Sequence, residues 1–95
     1  MRVSAYIREE IKKASKIAFG ECELVLFGSR VDESKNGGDF DIAVVKDISR
    51  KDFNRAKIEF FKYLILKDLD LPIDLVLYSR VDELLKKEIK KGERL

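Results

Sequence analysis

The 95-residue chain is the size of one domain, near the small end of what folds on a single core. Charged residues make up 40% of it, but 20 basic and 18 acidic side chains leave a net charge of only +2. So weak a field excludes a general polyanion-binding surface, and direct nucleic-acid binding is not expected. Histidine is absent and Cys22 is the only cysteine. Serine–histidine and cysteine–histidine catalysis, an intramolecular disulfide and a cysteine zinc site are therefore excluded. Any catalysis must run on carboxylates, lysine, tyrosine or a metal with oxygen ligands.

Residues 2–19 place Val3, Ile7, Ile11, Ala14 and Ala18 on one helical stripe, with Arg8, Glu9, Lys12, Lys13 and Lys16 on other faces. Gly20 suits the position just past that helix. Residues 22–27 read as a strand, apolar on both faces by its end and so central in its sheet. Cys22 reads most simply as a strand residue. Residues 29–38 are polar and contain Asn36-Gly37-Gly38, a turn signal, and residues 39–46 form a second strand. Ser49 and Asp52 resemble a capping box that opens a helix to about Lys67. Pro72 precedes a third strand at 73–78, and Asp82 caps a short, lysine-rich helix ended by Gly92. The order is α-β-β-α-β-α in one domain, residues 1–95: an α+β (α/β) fold with helices packed on a mixed three-stranded sheet.

The misplaced residues set the topology. Aspartate is depleted in strands, and a buried one must be paired or bind metal. Asp39 and Asp41 stand two apart, so on an extended backbone they leave the same face, and Asp74 opens the third strand. Gly28-Ser29 closes the first strand. These residues share a rim only if strands one and two are antiparallel and strands two and three parallel, with the intervening helix as crossover. Side-by-side anions repel, and a divalent cation is the common remedy. Three converging carboxylates suit two Mg²⁺ ions roughly 3.5–4 Å apart, with Mn²⁺ as a substitute. Gly28 permits close approach of a phosphate, Ser29 can donate to it, and Arg30 and Lys35 are secondary phosphate contacts. Arg30 reads equally well as an ion-pair partner, Asp74 as a strand-end residue satisfied by backbone N–H groups, and Tyr78 as a rim or core residue.

At these residues the chain resembles the minimal nucleotidyltransferase (MNT) family of the DNA polymerase β-like superfamily, nearest to the antitoxins of HEPN–MNT toxin–antitoxin pairs. The matching text is Leu26-Phe27-Gly28-Ser29-Arg30, Asp39-Phe40-Asp41-Ile42 and Ile73-Asp74-Leu75-Val76, with a similar tail from Ile89 to Leu95. The resemblance implies a nucleotidyltransferase fold, ATP as substrate, Gly28 and Ser29 on the triphosphate, and Asp39, Asp41 and Asp74 as metal-binding catalytic residues. It implies transfer of AMP to a hydroxyl, a tyrosine of a HEPN-type toxin partner, by a protein adenylyltransferase acting as antitoxin. Two other readings stand beside it: a binding module that neutralises the toxin by masking it, and a nucleotidyltransferase acting on a small molecule or nucleic-acid end.

The helix after Ser49 carries Phe53, Ala56, Phe60 and Leu64 on one stripe, and also Ile58, Phe61, Tyr63, Ile65 and Leu66. That is more apolar surface than one sheet-facing stripe can bury, so part of it is expected to meet a second copy or a partner protein. Absence of glutamine and abundance of lysine and glutamate lean toward a thermophilic source. No apolar run approaches the ~20 residues of a membrane span and no signal peptide precedes the first helix, so a cytoplasmic location is expected.

Overall fold

The computed structural model describes residues 4–28 and 40–95. In order they form α1 (Ala5–Phe19), β1 (Glu23–Phe27), β2 (Phe40–Val45), α2 (Arg50–Leu66) and β3 (Ile73–Leu77). A 3-10 turn (Tyr78–Arg80), α3 (Glu83–Lys90) and β4 (Glu93–Arg94) follow. The expected α-β-β-α-β-α order is present, but the sheet has four strands, not three, because the chain beyond α3 returns to pair with β1. Gly92 makes that return possible: its backbone lies so close to the Leu26 carbonyl and the Val25 side chain that a Cβ would overlap both.

Local chemistry fixes the helix ends. Ser4, Ser49 and Asp82 are the N-caps, accepting from the backbone N–H groups of Ile7, Asp52 and Leu85. Capping by Ser4 starts α1 at Ala5, three residues later than the periodicity suggests, and Val3 lies outside the described residues. At the end of α2, Leu69 N–H donates to the Leu64 carbonyl and Asp68 N–H to that of Ile65, the paired bonds of a Schellman motif. Asp68 holds the left-handed position of this motif, φ 61°, where glycine is usual.

The sheet order is β3-β2-β1-β4, with β1 antiparallel to β2 and β4, and β2 parallel to β3. Strand alternation divides it into two faces. Leu24, Leu26, Ile42, Val44, Leu75 and Leu77 point to one face and are buried with Ile11, Ala14 and Phe19 of α1 and Phe53, Phe60 and Leu64 of α2. Phe19 stacks on Phe53 at 5.8 Å, with Phe60 at 6.3 Å. The opposite face is covered more thinly, by α3, whose Ile89 packs with Phe27 and Ala43.

Two contacts lock the ends of α1. The Lys46 ammonium donates to the Phe19 carbonyl, placing a cation at the negative end of the helix. Arg8 pairs with Glu93 at 2.7 Å, tying α1 to β4.

Candidate functional site

Parallel pairing of β2 with β3 places Asp41 beside Asp74 in register, and antiparallel pairing places Phe27 of β1 opposite Asp41. Neighbouring strands lie about 4.8 Å apart, and in-register residues leave the same side of the sheet. Both carboxylates therefore rise from the α3 face at one rim, Asp41 half-buried and Asp74 exposed.

Gly28 follows β1 at that rim. It has φ +81°, and a Cβ placed there would lie 2.7 Å from Oδ2 of Asp41. Glycine is thus required twice, for the left-handed backbone and for the space that the Asp41 carboxylate occupies. On the Cβ side of Gly28 the near neighbour is therefore the Asp41 carboxylate.

The rim brings together three of the sequence-predicted site residues, Gly28, Asp41 and Asp74. Ser29, Arg30 and Asp39 lie outside the described residues, as does Lys35. Among the described residues no three histidine, cysteine or acidic side chains converge. Asp41 and Asp74 are hard oxygen donors, the chemistry that Mg²⁺ and Mn²⁺ select, and as two members of a ligand set they fit such an ion.

A groove of about 520 Å³ lies farther along the same face, floored by Val25, Val45, Tyr78 and Ile89, with Glu23, Lys90 and Arg94 at its margin. Sequence reasoning missed it. The signal was the strand period, which sets Val25, Val45, Asp41 and Asp74 on one face. Tyr78 is half-buried in the α3-side cluster, and the Lys86 ammonium sits 5.5 Å from its ring centroid.

The resolved pKa shifts belong to the other face. There the Tyr63 hydroxyl of α2 donates to Oε1 of buried Glu10 at 2.9 Å, and Lys13 stands 3.5 Å from the other carboxylate oxygen. The Tyr63 hydrogen bond holds the Glu10 carboxyl below the usual glutamate range, with Lys13 adding to the effect against the opposing pull of burial. Burial, then the Glu10 carboxylate, pushes the Tyr63 phenol up.

A mixed sheet backed by two helices, with in-register aspartates on its other face beside a strand-ending glycine, defines a nucleotidyltransferase-type α+β domain. The family described as Polymerase beta, Nucleotidyltransferase matches residues 6–95, and the chain belongs to that family. No individually curated protein compared with the chain matches it. Family membership points to a nucleotide substrate and to transferase chemistry in general. Among the described residues no helix is long and apolar enough to cross a membrane.

Proposed function

We propose that the chain is a metal-dependent nucleotidyltransferase that transfers AMP from ATP to a tyrosine hydroxyl of a HEPN-type toxin, and so acts as its antitoxin. The observation that carries this reading is the Asp41–Asp74 register at the rim where Gly28 ends β1. Asp41 and Asp74, with Asp39, would hold Mg²⁺, which supplies charge neutralisation for the triphosphate and acidifies the acceptor hydroxyl. Gly28 sets the Asp41 carboxylate in place by leaving it room. Ser29 and Arg30 are assigned to the phosphates by family resemblance. With no histidine in the chain, Asp74, the exposed carboxylate of the pair, is the residue available to take the acceptor proton. α3 covers only part of its sheet face, and the open remainder suits an acceptor presented by another protein.

The test is the intact mass of the partner toxin after incubation with this protein, ATP and Mg²⁺. A gain of one or more AMP units, lost in Asp41→Asn and in Asp74→Asn, is expected. Full neutralisation by both variants, with no mass change from the wild type, would establish the masking module instead.

A further inference from the structure

Among the described residues the helical layer leaves Tyr6 and Ile17 of α1 and Ile58, Ile65 and Leu66 of α2 exposed, and on α2 two of these continue from a core aromatic. On α2, Tyr63 faces α1 through its bond to Glu10. Ile58, Phe61 and Ile65, at i, i+3 and i+7, form a stripe on the opposite flank, toward the β3 side of the layer. Phe61 is half-buried, its ring edge-on to Phe60 at 5.2 Å, whereas Ile58 is 67% and Ile65 64% exposed. Two large aliphatic side chains two turns apart, continuous with a core aromatic between them, are the composition of an interface centre.

Charge along the same helix indicates what covers it. The start of α2 carries exposed Arg50, Lys51 and Arg55 against a single exposed Asp52, while the segment just beyond its end carries exposed Asp68 and Asp70 against a single exposed Lys67, so the start is net basic and the exit net acidic. A helix with a cationic start and an anionic exit complements a second copy of itself laid antiparallel. In a two-fold arrangement each contact occurs twice, so if Ile58 meets Ile65 of the other copy, Ile65 meets Ile58. That register centres the axis between Phe61 and Lys62 and lays the basic start of each α2 beside the acidic segment that follows the other copy's α2. Lys62 lies on the solvent side of the stripe and stays at the rim.

We propose that α2 is a homodimer interface in which two copies pack antiparallel, Ile58 against Ile65, with the basic start of each helix beside the acidic exit of the other. This surface lies on the sheet side opposite Asp41 and Asp74, so the inference does not depend on the reaction proposed above.

The experiment is sedimentation equilibrium of the full chain from low to high micromolar concentration, with thermal melts as a folding control. Wild type is expected to dimerise. Ile58→Lys and Ile65→Glu, both at exposed positions, should each weaken the dimer about tenfold or more while remaining folded. The combined variant Ile58→Lys/Ile65→Glu sets lysine against glutamate twice across the axis and should dimerise more tightly than either single variant. A wild type that stays monomeric overturns the proposal and leaves the stripe to a different protein. A dimer indifferent to both single substitutions overturns it too. Absence of rescue in the double variant overturns the antiparallel register.

Discussion

The two faces of the sheet differ in what they bury. Against α1 and α2 lie six strand side chains and a cluster of phenylalanines, all apolar. The α3 face buries Phe27, Ala43 and Ile89, and its rim carries Asp41 and Asp74. The strands are the same and only the parity changes, so one residue of slip would exchange the two. The main core and the candidate site thereby lie on opposite sides of one sheet. The thinly covered side can hold charged groups because it is not asked to supply the core.

Truncation on the thick side should have the largest effect on stability. Phe60 is fully buried between α1, α2 and the sheet. Phe60→Ala is expected to cost about 3–5 kcal/mol, a large part of the ~5–15 kcal/mol that a whole domain has. Asp74→Asn, on the other face and exposed, should stay within about 0.5 kcal/mol of wild type in urea unfolding while abolishing AMP transfer. If Asp74→Asn proved as destabilising as Phe60→Ala, the division between the faces would collapse.

A smaller effect should join the two properties at one residue. Gly28→Ala forces a side chain into the left-handed region, at a cost of about 1–2 kcal/mol, and drives its Cβ toward Oδ2 of Asp41. The displaced carboxylate is then lost to a metal. Mg²⁺ should raise the melting temperature of the wild type by binding only the folded state, and should raise that of Gly28→Ala less. Asp41→Asn, which gives up a charged oxygen donor, should also gain less from the metal than the wild type does. Equal Mg²⁺ responses in all three proteins would remove Asp41 from the metal site.

The pairing of the strands was legible because aspartates at strand openings and a glycine at a strand end are costly unless they converge. That argument alone gives the relative directions of β1, β2 and β3 as the structure has them. β4 was not legible, since two residues carry no period and the reason for its return, a close approach at Gly92, is tertiary. The left-handed Asp68 was equally hidden, because the Schellman motif there lacks its usual glycine. At the site, the grouping of Gly28 with Asp41 and Asp74 was readable, but the packing of the Asp41 carboxylate against Gly28 was not. The excess of apolar residues on α2 was visible in the sequence. Only the packed helices separate Phe61 and Tyr63, half-buried, from Ile58, Ile65 and Leu66, which stay exposed.

The finest test of the contrast concerns Glu10, the one charged residue among the described residues that is buried on the thick side. Glu10 was assigned no role by the sequence, because its partner Tyr63 is 53 positions away. Its folded pKa lies below the ordinary glutamate value, so the folded state binds this proton more weakly than the unfolded chain. The resulting stabilisation is complete above that ordinary value and is lost as pH falls through the lowered folded value. Tyr63 has the opposite sign: its raised pKa gives a contribution complete below the ordinary tyrosine value and lost as pH rises through the folded one. The Tyr63–Glu10 pair thus bears on both limbs of the stability profile, the acid limb chiefly through the hydrogen bond and the alkaline limb first through burial of the phenol and then through Glu10. Tyr63→Phe removes the donor and should flatten the acid limb, leaving Lys13 as the remaining stabiliser of the Glu10 carboxylate, and should remove the alkaline loss that Tyr63 causes. Urea midpoints of wild type and Tyr63→Phe across the pH range are the measurement. Curves that run parallel from acid to alkaline pH would show that this bond contributes nothing that titrates.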